Sequence, residues 1–495
     1  MPKKIKFNIP KDVSWITEAL QKDGFEAFLV GGCVRDLLRG EKPKDWDVTT
    51  NATPEEIVSL FPKTFYENNF GTVSVVNESA TADEDETLRN VEITPYRMEA
   101  KYSDKRHPDS VSFTNNIEDD LKRRDFTVNA MALNNVSGEM IDLFEGQKDL
   151  KNKIIKAVGD PLERFSEDAL RMMRAVRFST ELEFTIEKNT LNAIKEKGSL
   201  LDKIAKERIR DEFIKIIMSN NPDKGMDVLR ETGLLSYVMP EIEEGFQVKQ
   251  NKDHIYDVWN HSIKALKHSA DKGFPLNIRI AALLHDVGKP KSRRWDEQKK
   301  DYTFYGHDVV GGKMSVKILA KLKFPKKDID TITKLVRYHL FFSDVEKITL
   351  SAVRRIVRNV GQENVWDLMK VRFCDRIGMG RPKETPYRLR KYESMIDEAM
   401  RAPVTVGMLK VNGARIMETA GEKPGPRIGF ILHALLEEVL DNPELNTKEY
   451  LEEKVVELSR LDDTKLKKLG EKGKDTKESK EKKEIEEIRK KWWVK

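Results

Sequence analysis

An α+β head followed by a long all-α body is the fold class this chain predicts. Three observations carry it. Residues 25–150 alternate short strand-like runs with helix-like pieces. From Pro161 onward, apolar residues recur at spacings of three and four with little interruption. Gly31-Gly32 follow directly on the apolar run Phe28-Leu29-Val30, as where a buried strand meets a tight turn.

The head begins after a lead-in, residues 1–24, with a helix expected at Val13–Gln21. Phe70–Val76 and Val91–Thr94 read as strands, separated by the acidic stretch Ala80–Glu86, a loop. Met98–Ser112 is mixed and contains His107-Pro108, so it reads as a mobile loop. Met131–Asn134 and Met140–Phe144 flank Ser137-Gly138, a hairpin signal. In the body, Arg164–Thr180, Thr190–Lys197, Arg208–Ser219, Lys224–Thr232 and Gly429–Leu440 read as helices. No internal repeat is evident.

At 495 residues the chain suits three or more domains, given about 100–200 residues per domain. Its 39% hydrophobic content supports real cores. Two distant cysteines, Cys33 and Cys374, argue against a disulfide framework and for a reducing compartment. Met1–Lys6 lacks the apolar run of a signal peptide. No apolar run reaches the ~18 residues a membrane span needs. A cytoplasmic protein with no membrane partner is expected.

The formal charge of +5 misleads. Residues 465–495 hold 13 basic and 7 acidic residues, +6, which leaves −1 for the other 464. Any RNA surface on the body must therefore be a local patch. The lysine-rich end is expected to be disordered or a frayed helix, dispensable for chemistry, adding salt-sensitive RNA affinity.

Gly31-Gly32-Cys33-Val34-Arg35-Asp36 is followed nine residues later by Asp45-Trp46-Asp47. Glycines let a backbone approach a phosphate closely. In an extended segment Asp45 and Asp47 point to one side. Paired hard carboxylates suit Mg²⁺, which often shares its ligands with a nucleotide's phosphates. The set reads as a nucleotidyl-transfer site, with Gly32 and Arg35 toward the triphosphate. Alone, a GG pair or a DxD is weak.

Downstream, Arg123-Arg124 precede the strand-like Asp125–Ala130, and could hold phosphate or ribose with Asn129. In Ser166–Phe178, Ser166 is a fair N-cap, and Asp168 and Arg171 fall three apart on one helix. Two readings stand open. One is an ion pair. The other is a protein template for a base: a carboxylate accepting from an exocyclic amine, a guanidinium donating to the adjacent ring nitrogen. Cytosine and adenine fit that template; guanine and uracil leave both groups unsatisfied. Arg174 is well placed for a phosphate, whereas Arg177 is turned away from Asp168.

GGCVRD, DWD, RRDFTVNA and EDALRMMRAVRF, in this order, resemble the motifs of bacterial-type tRNA nucleotidyltransferases (CCA-adding enzymes) and the related poly(A) polymerases. Glu207-Arg208-Ile209 with Glu212 is similar to the family's last neck motif, and Gly425–Gly429 and Asn446–Glu449 to its tail. The resemblance implies a polymerase-β-like nucleotidyltransferase head (25–150), a helical neck that reads the base (151–235), an HD body (236–400), a helical tail that holds tRNA (401–464), and the extension 465–495. It implies template-independent CCA addition from CTP and ATP. Asp45 and Asp47 would hold two Mg²⁺. Gly32, Arg35, Arg123, Arg124, Asn129, Arg174 and Arg177 would bind nucleotide, and Asp168 and Arg171 the base. Glu92 is a looser third carboxylate; Cys33 is expected to pack. Phe70–Val75 and the loop Arg97–Phe113 resemble the full CCA-adding form, with a poly(A) polymerase or an A-adding specialist as alternatives. Partners implied are tRNA, CTP and ATP; no protein partner is expected.

His261, His285-Asp286 and Asp375 reproduce the order of an HD-domain metal site, with the doublet ending the apolar run Ala281–Leu284. His307 and His339 fall between, as in HD proteins that hold two metals. The resemblance implies a divalent metal of unspecified identity and a phosphohydrolase, on 2′,3′-cyclic phosphates or phosphomonoesters, or else a scaffold.

Overall fold

The structure, a computed structural model of the whole chain, describes residues 7–67, 71–78, 85–99, 111–251, 255–341, 348–401 and 405–494. It divides into two compact units. The first holds residues 1–339 and 370–382, the second 340–369 and 383–495. Residues 340–369 and 383–400 fall in the second unit with the C-terminal tail.

The head is a seven-stranded sheet. Its strands are β1 (Ala27–Val30), β2 (Trp46–Thr50), β3 (Thr64–Glu67), β4 (Thr72–Val76), β5 (Asn90–Pro95), β8 (Ala132–Leu133) and β9 (Met140–Ile141). Their order is β3-β4-β5-β2-β1-β8-β9, antiparallel except for β2 against β5. A separate pair, β6 (Arg97–Glu99) and β7 (Val111–Phe113), closes the ends of the expected mobile loop. Arg106-His107-Pro108 and most of Ala80–Glu86 lie outside the described residues, as does Phe70.

Side-chain alternation explains why β1 is buried throughout. Ala27 and Leu29 join the core under the Lys11–Lys22 helix, while Phe28 and Val30 join a second cluster with Tyr96 and Leu121. The same period splits β2. Trp46 and Val48 enter the first core, so Asp47 and Thr49 face the other side.

The neck is helical, as expected, but one helix is broken. Arg164–Thr180 is not continuous: Pro161–Glu167 and Leu170–Leu182 are separate helices. Asp168 sits between them in an extended conformation, φ −128° and ψ 104°. Ser166 is therefore no N-cap; its hydroxyl donates back to the Leu162 carbonyl at 2.7 Å. Asp168 Oδ1 accepts the Leu170 N–H instead, at 3.0 Å. Asp125–Ala130 is likewise no strand; Thr127–Asn129 is a 3-10 turn. The buried Asp125 carboxylate accepts from the Phe126 N–H at 2.8 Å.

The HD region is built around Leu276–Leu284, whose residues Ile278–Leu284 are all buried. A helix apolar on every side belongs in an interior. Arg279 ties it to the neck by donating to the Ile217 and Ser219 carbonyls at 3.0 and 2.8 Å.

In the second unit residues 465–495, expected as disorder or a frayed helix, take the helical alternative. Asp463–Lys491 is one helix of 29 residues, packed along Pro426–Asp441. Composition hid the reason. Gly470 and Gly473, poor helix formers, lie where the two backbones meet: a Cβ on Gly473 would sit 2.1 Å from the His433 carbonyl oxygen. The far end is held too. Trp492 stacks on Trp366, ring centroids 5.6 Å apart, and donates to Asp397 at 2.8 Å. Among the described residues no helix is long and apolar enough to cross a membrane.

Gly473→Leu should force these helices apart and destabilise the second unit, by about 1–3 kcal/mol as for other overpacked sites. Hydrogen exchange of the Pro426–Asp441 amides measures it; unchanged protection would mean the contact is soft.

Candidate active site and metal centre

Three chain segments meet at the open end of β1 and β2. Gly31 turns with φ +80°, and a Cβ there would lie 3.1 Å from Asp47 Oδ2 and 3.4 Å from Arg124 Nη1. Only glycine leaves that carboxylate and guanidinium clear. Gly32 faces Arg35 Nη2 and Asp45 Oδ1, each 3.6 Å from where its Cβ would be. Asp45 is exposed just before β2, and Asp47 is half-buried on it. Glu92, on β5, is the register partner of Asp47. Burial first, then the charges of Asp45 and Glu92, raise Asp47 to about 7 against the pull of Arg124. Such a set of hard oxygens repels itself and fits a cation. Cys33 is buried behind it, with its thiol pushed up to about 12 by burial and by Asp47, so it packs.

Each arginine here is held by a carboxylate. Arg35 binds Asp36 at 2.8 Å and donates to Asn129 Oδ1 at 2.8 Å. Arg123 and Arg124 donate to Asp120 at 2.9 and 3.0 Å. Burial alone would raise the Asp120 carboxyl; Arg124 and Arg123 outweigh it and hold it low. Arg174 binds Asp125 at 2.6 Å. Arg177 packs on the Phe178 ring at 4.1 Å and pairs with Glu212 at 3.3 Å.

Asp168 and Arg171 do not share a helix face, because the helix breaks at Asp168. Asp168 Oδ2 accepts from Arg208 at 3.1 Å. Arg171, buried, donates to Glu167 at 2.6 Å and to the Arg123 carbonyl at 3.0 Å. Sequence reasoning missed Asp120, Asp125 and these partner roles of Glu167 and Arg208. Asp125 was visible inside RRDFTVNA, whereas Asp120 carried no motif signal.

The second cluster is fully inside the first unit. His261, His285 and Asp286 bring ligand atoms within 4.8 Å of one another, and so do Asp286, His307 and His339. Asp286 is common to both sets. His261 Nε2 lies 2.8 Å from His285 Nε2, 3.0 Å from Asp286 and 3.3 Å from Asp375. His307 and His339 present Nε2 to Asp286 Oδ1 at 3.3 and 3.7 Å. The Nδ1 atoms of His285, His307 and His339 each lie 2.7 Å from a carbonyl oxygen three residues earlier. That bond assigns the proton to Nδ1 and aims an Nε2 lone pair at the cluster, as a metal ligand requires. Burial would lower His285, but Asp286 and Asp375 outweigh it and raise it to about 10. Burial and His285 lower His339 to about 3. The donor set fits one or two divalent cations sharing Asp286.

The profile of the Poly A polymerase head domain matches residues 27–156, that of the "Probable RNA and SrmB- binding site of polymerase A" matches 183–246, and the HD domain matches 253–379. Fold and site thus define a nucleotidyltransferase with a polymerase-type head and an HD body. The CCA-adding enzyme of Ligilactobacillus salivarius is 34% identical over 462 residues, 91% of this chain and 98% of that protein. That of Limosilactobacillus reuteri is 31% identical over 446 residues, 90% and 96% of the two chains. The chain belongs to the family of CCA-adding enzymes. The crystal structure of the Bacillus stearothermophilus CCA-adding enzyme in complex with CTP is similar at 28% identity and a TM-score of 0.60, covering 91% of this chain and 98% of that one. The Thermotoga maritima enzyme complexed with tRNA shares the fold, with a TM-score of 0.50 at 20% identity over 90% of this chain and 94% of that one.

Asp120→Ala should leave Arg123 and Arg124 without their buried partner and destabilise the head by about 3–5 kcal/mol. Hydrogen exchange in β1 and β2 reads this. Wild-type protection would mean that the arginines find water or other acceptors.

Proposed function

We propose that this chain adds CCA to the 3′ ends of tRNA from CTP and ATP without a nucleic-acid template, by nucleotidyl transfer at the head. The carrying observation is the meeting of Asp47 and Arg124 around a side-chain-free Gly31, with Asp45 and Arg35 beside Gly32. Membership of the family and likeness to a CTP-bound relative support the same reading.

The 3′-hydroxyl oxygen forms a bond to the α-phosphorus of the nucleotide while the bond to the β-phosphate oxygen breaks and pyrophosphate leaves. Asp45 and Asp47 would hold Mg²⁺, which supplies charge stabilisation for the attacking and leaving oxygens. Gly31 and Gly32 leave backbone room for the triphosphate. Arg35, Arg124 and Arg174 supply fixed positive charge, each aimed by its carboxylate or by Asn129. Arg123 shares Asp120 with Arg124 and supports it. Asp168 and Arg171 read the base, and Arg177 braces the neck through Glu212. The buried free thiols suit a reducing, cytoplasmic setting.

Asp45→Ala or Asp47→Ala should abolish CTP and ATP incorporation into tRNA while leaving tRNA binding within about twofold of wild type, since neither side chain is in the core. Near-normal incorporation by either variant would remove the metal assignment. With tRNA ending in its discriminator base or in C, full CCA addition requires CTP then ATP in order, and with tRNA ending in CC it requires ATP alone; a long A tract from ATP alone would favour a poly(A) polymerase.

Asp168→Ala and Arg171→Ala should each slow CTP and ATP use and weaken exclusion of UTP and GTP, a base contact being worth about 1–3 kcal/mol. Wild-type selectivity in both variants would reduce the pair to a packing role.

The histidine–aspartate cluster favours a second activity, a metal-dependent phosphohydrolase acting on 2′,3′-cyclic phosphates or phosphomonoesters. His261, His285, Asp286 and Asp375 would hold a divalent metal, with His307 and His339 completing a second position. A metal there would lower the pKa of a bound water toward neutrality. The variant His285→Ala with Asp286→Ala should lose bound metal and hydrolysis while keeping CTP incorporation. No metal in the wild type after supplementation with Mg²⁺, Mn²⁺, Ni²⁺ or Zn²⁺ would leave a scaffold.

A further inference from the structure

Beside the buried cluster stands an exposed hairpin, Arg294–Asp296 paired with Asp301–Thr303. An isolated two-stranded hairpin is marginal in water. Asp296 and Asp301 are direct cross-strand partners, and Asp296 also accepts from the Gln298 and Lys299 N–H groups in the turn. Its apolar side chains face solvent: Trp295 is 50% exposed, and Tyr305, just beyond it, is 76% exposed. Trp295 and Tyr302 meet edge to face, centroids 5.1 Å apart.

Cations flank these rings. The Arg293 guanidinium sits 3.6 Å from the Tyr302 centroid, and Lys299 donates to the Tyr305 hydroxyl. Arg294 and Lys300 add exposed positive charge. Exposed aromatic faces among cations match an unstacked nucleobase and its phosphates. A double helix offers no free base face.

The hairpin is also joined directly to the cluster by the chain. His307 follows Tyr305 by two residues, at most about 7 Å of chain. Its Nδ1 is held by the Phe304 carbonyl at 2.7 Å. Lys289, 2.6 Å from Asp286, lies 5.8 Å from the centroid of the Phe304 ring. One segment therefore carries the exposed rings, the ring cations and a ligand imidazole.

We propose that the Arg293–Tyr305 hairpin is a stacking platform that presents the 3′-terminal nucleotides of a single-stranded RNA to the histidine–aspartate cluster. This rests on reading that cluster as a phosphohydrolase and names its substrate class: an RNA 3′ end bearing a 2′,3′-cyclic or terminal phosphate, rather than a free small ester.

The test uses the full chain and a hexanucleotide RNA ending in a 2′,3′-cyclic phosphate, with 4-thiouridine near that end. Ultraviolet crosslinking followed by peptide mapping should yield adducts within residues 293–305. Trp295→Ala with Tyr305→Ala should lower affinity for this RNA about tenfold or more, whereas Trp295→Phe with Tyr305→Phe retains it. CTP incorporation into tRNA reports that each variant is folded. Adducts only elsewhere, or unchanged affinity in the alanine variant, overturn the platform. Hairpin adducts without hydrolysis in metal-supplemented wild type would overturn the phosphohydrolase reading and leave the platform as an RNA-binding surface.

Discussion

The Asp120 carboxylate is the constraint on which the head's arrangement depends. It has no solvent exposure, and an ionised carboxylate out of water must be paired. Arg123 and Arg124 pair it, and that pairing carries Arg124 to the wall where Asp47 faces Gly31. The same logic repeats along the neck: Asp125 holds Arg174, Glu212 holds Arg177, and Arg208 holds Asp168. Each long, mobile side chain proposed to meet the nucleotide is fixed before the nucleotide arrives. Preorganisation of that kind removes rotamer entropy from the binding step.

The histidine–aspartate cluster follows the opposite rule. There acceptors face acceptors. Four imidazoles and two carboxylates converge, and backbone carbonyls hold three of the Nδ1 protons away from the centre. Without a metal, protons must supply the missing positive charge. The opposed shifts of the neighbouring rings, His285 upward and His339 downward, express how the cluster divides it. Lys289 against Asp286 and Arg372 against Asp375 supply the remainder from the edge.

Motifs and periodicity made the elements of the head and most helices legible. Val13–Gln21, Val91–Thr94, Thr190–Lys197 and Gly429–Leu440 all appear, extended by one to three residues at one or both ends. What periodicity could not reveal were features set by tertiary contacts. The break at Asp168 is invisible in Ser166–Phe178, which has no glycine or proline. The ordered helix Asp463–Lys491 was hidden because its apolar content is low. It is held by close backbone approach at Gly470 and Gly473 and by ion pairs such as Lys472–Glu437 at 3.0 Å. Asp120 stayed unread because a buried acid looks, in sequence, like one more charge among Glu118, Asp119 and Asp120.

The break at Asp168 has a consequence for base reading. In a continuous helix its carboxylate and the Arg171 guanidinium would satisfy each other and present little to a ligand. Extended backbone at Asp168 instead gives each group a separate protein partner, Arg208 and Glu167. On the proposed role of this pair, recognition would be an exchange of hydrogen bonds rather than a gain of new ones. Cytosine or adenine would replace each bond it displaces, so the balance would stay near neutral. Guanine or uracil would displace the same bonds and return none, leaving polar groups unpaired in a partly buried site. Discrimination of this kind comes from what the wrong base fails to restore, and it needs no tight binding of the right one. An enzyme that must accept two bases in turn, and release after each, is served by that balance.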